Sequence, residues 1–552
     1  MRSAFLIPAL ATMVLGCADR SGGDADATGG TVIVAVGSSF TPSLPINAIT
    51  STTANIASQV YDRLAQAAPN LNSFGDAGFE PRLAERWTWA ADSMSIAFSI
   101  DSDARWHDGR PVRASDVKFS FDLSKDPATG SGIAPLLANV DSISVRDSLT
   151  AVAWFHARSP EQFYDLAYQL YIMPEHVLRD VPRAQLATTD VSTKYIGTGR
   201  FRLGKFEPGA RLELVADTAN YRGRPKLDRV IFTMAADGGA AIAQLLSGQA
   251  DVLEFIPPNL VARLDSGSPA RAVAFPGMAY TFLGMNQRAR NGRGPHPVFG
   301  DRSVRRAISM ALDREAMLRN VFDTLGVLSA GPFARTVADT TVVLPPFDRA
   351  AANALLDSAG WRAGADGIRA RNGRALAFSV MYPTSSATRQ RYAVLIQEQL
   401  KSIGARVDLT AVDFPTTQSR QASGDFDASL ITVNPDANLG GARQYWTTGG
   451  MAEGGQNHIR YSNPRLDALL DSAIASFDPA RRADQAHRAW QMLVDDAPAV
   501  WLYDVLSMNA VHRRIRTTDM RADGWWAGLS EWTIPANERI DRDRIGLRPA
   551  QQ

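Results

Sequence analysis

Residues 376–411 constrain the fold more than any other stretch. Leu376, Phe378 and Val380 alternate with more polar neighbours, the period-2 pattern of a strand. Residues 388–403 then place Tyr392, Leu395, Ile396, Gln399 and Ile403 at helical spacing, with Gly404 as a C-terminal cap. Val407, Leu409 and Ala411 alternate again. A strand, a helix and a second strand in that order return the chain parallel to itself, which predicts a βαβ unit in a parallel or mixed sheet and an α/β fold. The same texture runs through everything beyond about residue 275. Residues 280–285 read as a strand. A helix capped by Asp301 or Ser303 follows, with Val304, Ala307, Ile308, Ala311 and Leu312 on one stripe and Arg302, Arg305 and Arg306 on the other. Two more helices begin at Asn463-Pro464 and at Pro479, the latter stopped by Pro498.

The chain before residue 275 reads differently. Residues 31–36 (TVIVAV) are a β-branched run bounded by glycine, a buried first strand, and 54–64 form a helix with Ile56, Val60, Tyr61 and Leu64 on one face. From there to about residue 182 short strands, loops and short helices mix, including a hairpin of 143–145 and 152–154 around Asp147-Ser148. This predicts an inserted α+β unit. Leu212, Leu214, Val230 and Phe232 continue as strands, and residues 240–246 make a short helix that stops at Gly248.

At 552 residues the chain exceeds one core, and about 150 residues per domain suggests three or four units. With 58 basic against 57 acidic residues there is no electrostatic case for a nucleic-acid partner. No apolar run reaches the ~20 residues that span a bilayer. Residues 1–16 have the form of a signal peptide: Arg2, then an apolar stretch over 4–15. Its end, Val14-Leu15-Gly16-Cys17, resembles a bacterial lipobox, with Leu15 bulkier than usual. Cys17 is the only cysteine, so it has no internal disulfide partner and is expected to carry a lipid, with residues 17–30 as a flexible tether.

Catalytic patterns are missing. No two of the seven histidines stand four apart, which excludes the helix-borne zinc peptidase motif, and no Gly-x-Ser-x-Gly elbow occurs. Ser115-Asp-Val-Lys118 fits Ser-x-x-Lys but lacks its companion motifs, and Asp101-x-Asp103 has Val112 where a calcium loop needs glutamate. Gly197-Thr-Gly-Arg-Phe-Arg-Leu-Gly204 has the wrong glycine spacing for a dinucleotide site and reads as a turn into a strand. An enzyme, a bound metal and a cofactor are therefore not expected.

Residues 106–121 (WHDGRPVRASDVKFSF) read on their own as a turn at Asp108-Gly109 after the strand of Ile96, Phe98 and Ile100, then a helix capped by Ser115 with Val117 and Phe121 on one face. As a text, they resemble a signature of the family-5 extracellular solute-binding proteins of ABC importers. Seven further segments match in family order: 56–64 (IASQVYDRL), 81–87 (PRLAERW), 197–201 (GTGRF), 241–251 (AIAQLLSGQAD), 283–286 (LGMN), 304–314 (VRRAISMALDR) and 461–470 (YSNPRLDALL). The resemblance implies a periplasmic-binding-protein-like α/β architecture of two lobes with an extra inserted α+β domain. Domain I would comprise 31–59, 196–275 and 505–552, domain II 60–195 and domain III 276–504, with ligand between I and III.

It also implies a monomer exported to the periplasm or cell exterior and lipid-anchored there, handing a solute, above all short peptides, to an ABC permease and ATPase. In peptide-binding relatives an aspartate pairs with the ligand's ammonium, and counting from Gly424-Asp-Phe-Asp427 places Asp436 there without a gap. An Asp after Pro435 equally suits a turn. Val433 stands where those relatives carry tryptophan, leaving Tyr445 or Trp446 to supply an aromatic wall, and Asn434 completes the expected contact set. A sensor for a membrane receptor, or a metal-chelate, opine or oligosaccharide ligand, are the alternatives.

Overall fold

The strands Ala377–Pro383 and Arg406–Val412 pair in parallel, Ala377 opposite Arg406 and Pro383 opposite Val412, with the helix Ala387–Lys401 between them. The predicted crossover is there. In the computed structural model residues 28–547 are described, apart from 38–39, 49, 135, 187–194, 257, 276, 291, 336–338, 453–454 and 519. The crossover lies at one edge of a six-stranded sheet whose order is 327–328, 499–504, 280–285, 428–433, 377–383 and 406–412. Leu283, Val380, Leu430 and Leu502 from its central strands are fully buried against helices Arg302–Ala311 and Ala387–Lys401.

A second sheet has seven strands in the order 270–275, 507–512, 252–253, 31–36, 229–234, 211–216 and 201–207. Thr31–Val36 runs parallel to both its neighbours, Arg229–Met234 and Val252–Leu253, and of its six residues only Ile33 is not buried. That is why it reads as a continuous apolar run. A four-stranded antiparallel sheet, ordered 84–89, 95–100, 150–155 and 140–147, carries the inserted residues. Sheet membership changes twice, between Phe275 and Tyr280 and between Asp504 and Ser507, so two short links join the large sheets.

Several local expectations shift. The first helix is Ser51–Val60, capped by Thr50, because Tyr61 is already extended. The helix of the opening motif is Ala114–Lys125, and its start is held by Asp116, whose carboxylate accepts from Arg113 N (2.8 Å), instead of by Ser115. Arg305 is buried and not on a solvent face. Its guanidinium donates to the Phe299 and Asp496 carbonyls (2.7 and 2.8 Å), closing the C-terminal end of helix Pro479–Asp496, and burial lowers its pKa to about 10. A buried ion cluster ties the last described segment to the seven-stranded sheet: Asp251 accepts from Arg514 (2.7 Å) and Arg542 (2.6 Å), and Arg514 also reaches Asp543 (2.5 Å). Removing one member would leave a buried charge without its partner.

Candidate ligand-binding cleft

The insert meets the seven-stranded sheet's side through residues 106–109 and 197–199. The Gly197 N–H donates to His107 Nδ1 (3.2 Å) and His107 Nε2 donates to the Gly199 carbonyl (2.9 Å), which fixes a neutral imidazole; burial accordingly lowers its pKa. Gly199 N–H reaches the Val60 carbonyl at 2.8 Å. A Cβ on Gly197 would lie 1.8 Å from that same carbonyl oxygen, so glycine there permits close backbone approach and cradles no phosphate. Trp106 is buried and donates to Asp116 (3.4 Å), which also accepts from Glu175 N (3.0 Å). The signature segment thus builds a joint, not a reaction centre.

The opposite side of the insert faces the six-stranded sheet's side and encloses a cavity of about 540 Å³. Residues 70–74 line it from the insert, and Tyr280, Phe333, Asp436, Asn438 and Trp490 from the other side. Strand Ala428–Val433 ends just before this cavity, and Asn438 caps helix Leu439–Trp446, its side chain accepting from Gly441 N (2.6 Å). Asp436 sits in the turn between them. Burial pushes its carboxyl upward; a hydrogen bond from Gln169 and the field of Arg63 oppose this, and Glu161 adds to it. Among the described residues it forms no ion pair, so a ligand cation would supply what the protein does not.

Glu161 closes the gap between the two sides. Its carboxylate, almost wholly buried, accepts from Leu439 N (2.9 Å) and Gly440 N (3.1 Å) at the start of helix Leu439–Trp446 and pairs with Arg482. A carboxylate at a helix N-terminus gains from orphan amides and the helix dipole together. A neighbouring cavity of about 580 Å³ shares Asn438 and includes Glu161 and Asp165. Burial, then Glu161 and Asp436, push the Asp165 carboxyl well up.

The other expected contact residues divide. Tyr445 is half-buried beside Asp436, and burial followed by that carboxylate raises its pKa to about 12. Val433 is buried opposite Tyr280 in the sheet. Asn434 is exposed. Trp446 is fully buried beneath the cavity, its indole N–H donating to the Pro332 carbonyl (3.1 Å), and the aromatic residues that line the cavity are Phe74, Tyr280, Phe333 and Trp490. Glu161, Gln169 and residues 70–74 carried no pattern in the sequence; Glu161 stands out only through its burial and partners. Cys17 lies outside the described residues. Among the described residues no helix is long and apolar enough to cross a membrane, and no group of three or more His, Cys, Asp or Glu could hold a metal.

The model for bacterial extracellular solute-binding proteins, family 5 (middle region) matches residues 78–454. The chain belongs to that family. A Brucella ovis protein named as an ABC transporter peptide-binding protein is 30% identical over 415 residues, covering 72% of this chain and 74% of that one. The oligopeptide-binding protein AppA of Bacillus subtilis is 26% identical over 488 residues, 85% of each chain. By structure, AppA in complex with a nonapeptide superposes with a TM-score of 0.75 at 22% identity, covering 92% of this chain and 99% of that one. CtaP of Listeria monocytogenes gives 0.80 at 20% identity over 92% and 100%, and NikZ of Campylobacter jejuni, in complex with Ni(L-His), 0.76 at 20% identity over 91% and 99%. As a family-5 solute-binding protein, this chain is the non-enzymatic substrate-binding component of an ABC importer, extracellular or periplasmic.

Proposed function

We propose that this protein captures short peptides by their free ammonium on Asp436 and delivers them to its permease and ATPase. The observation that carries this reading is a half-buried carboxylate with no ion pair among the described residues, lining a cavity between two parts of the chain that separate links could move apart. The moving parts are domain I (31–59, 196–275 and 505–552) with domain II (60–195), against domain III (276–504), turning about the links near residues 277–279 and 505–506. Asp436 and Tyr445 contact the ligand, while Val433, Asn434 and Trp446 shape the strand and helix that present them. The monomer is held at the membrane by lipid on Cys17, so Cys17→Ser should move it from the membrane to the soluble fraction.

The deciding experiment is mass spectrometry of small molecules released by denaturing the purified protein, since a ligand bound only to the native state is retained through purification when binding is tight. A ladder of short peptides is the expected result. A single non-peptide species would overturn the peptide reading and leave the family membership intact.

A further inference from the structure

A different cavity, of about 250 Å³, lies in the crease between helix Ser51–Val60, the insert and residues 523–530, and shares no lining residue with the Asp436 cavity. Four arginines line it, Arg63, Arg82, Arg200 and Arg222, against two carboxylates, Asp62 and Asp523. Both carboxylates are already engaged. Asp62 accepts from Arg222 (2.6 Å), Thr198 (3.1 Å) and Tyr221 (3.1 Å), and Asp523 from Arg521 (2.8 and 3.0 Å) and Tyr168 (2.6 Å). Arg200 pairs with Glu531 and bonds Ser530 (2.9 Å).

Arg63 and Arg82 are the least engaged of the four, although the field of Asp523 and the neighbouring tyrosines stabilise the Arg63 cation. Arg63 is gripped by its faces between the Tyr168 and Tyr171 rings, 4.1 and 4.2 Å from their centroids, and forms no ion pair among the described residues. A guanidinium held by its faces offers its N–H edge to an acceptor. Its buried Nε, like that of Arg222, has no hydrogen-bond partner among the described residues. Among the described residues Arg82 donates to the Pro81 carbonyl (3.2 Å) and pairs at long range with Glu80 (3.9 Å); burial, then the neighbouring Arg222, lowers its pKa against the opposing fields of Asp62 and Glu80. Cations crowded into a cavity with unspent donors are what a small anion relieves. The volume is roughly eight times the ~30 Å³ share of one water, enough for such an anion and its residual hydration.

We propose that this crease binds a small oxyanion, a phosphate or carboxylate in chemical class, at a site separate from the Asp436 cavity. The test is calorimetric titration of inorganic phosphate, sulfate and acetate into the full-length protein in low-salt buffer, with thermal melts in parallel. Saturable 1:1 uptake of at least one of them with a raised Tm is expected. Arg82→Gln should weaken it at least about tenfold, the size of a lost charge-assisted hydrogen bond, while Arg82→Lys keeps part of the affinity. Asp436→Ala should leave it unchanged. Uptake of phosphate or sulfate with acetate inert points to a phosphoryl or inorganic source; uptake of acetate points to a carboxylate. No saturable uptake, unchanged affinity in Arg82→Gln, or loss in Asp436→Ala would each overturn the proposal. Only the last outcome would also bear on the peptide site, so the two readings fail separately.

Discussion

Along residues 106–109 and 197–199 the insert is joined to the seven-stranded sheet's side by backbone: amide to imidazole, amide to carbonyl, with glycines packed against the Val60 and Gln59 carbonyls. Toward helix Leu439–Trp446 it is joined by side chains, chiefly the Glu161 carboxylate with Arg482, and flanked by cavities of about 540 and 580 Å³. The first seam cannot part without breaking backbone hydrogen bonds that no side-chain motion can follow. Groups at the second can be rehydrated one at a time when it opens. The backbone seam therefore couples the insert to the seven-stranded sheet, and under the proposed capture of a solute the seam beside the candidate ligand site is the one that opens.

The largest expected effect falls on the rigid seam. Gly197→Ala should destabilise the protein by more than about 4 kcal/mol, because backbone must shift to admit the Cβ. Chemical denaturation checks this, and a wild-type midpoint would show that the seam is more yielding than its geometry says. At the other seam, Asp436→Ala should weaken binding of a free-amino peptide by about 2–5 kcal/mol while the ligand-free melt stays nearly in place. Calorimetry showing wild-type affinity would remove Asp436 from the site.

Glu161→Gln should be milder, about 1–2 kcal/mol, since the amide oxygen still accepts from the helix amides but the charge is lost. Faster ligand release and a larger radius of gyration by X-ray scattering are the readouts. Unchanged release would make this contact incidental to closure. The smallest effect is on pH. The folded state depresses the pKa of His107, so its contribution is present above the unfolded value near 6.5 and is lost as pH falls through the folded value. Melts between pH 7 and 4 should fall less steeply in His107→Gln than in wild type. Identical slopes would mean that His107 does not titrate with unfolding.

Strands and helices were largely legible, including the crossover at 376–411, because their periodicities are local. The segments that carry the family resemblance turn out to mark places where distant parts of the chain meet. Trp106 and Asp116 hold the insert's helix, and Asp251 gathers Arg514 and Arg542. Asn286 binds the Gly424 and Phe426 carbonyls (3.1 and 3.0 Å), and Tyr461 reaches Asp496 (2.7 Å). Such contacts are unforgiving of residue type, so they leave readable motifs. Arg305 was misread for the converse reason: its helix position suits solvent, and only the carbonyls of another helix's end make burial tolerable.

The sequence by itself determined the α/β class, the parallel crossover and the family, since periodicity, turn residues and ordered motifs are written along the chain. It also singled out Asp436 by its place after the Gly424–Asp427 segment. Tertiary structure alone decided that Trp446 packs in the core, that Glu161 and Arg482 join the insert to the six-stranded sheet's side, and that Arg63 and Arg82 line one cavity. Burial and charge balance depend on which groups from distant segments converge, and no spacing along a single chain encodes that convergence.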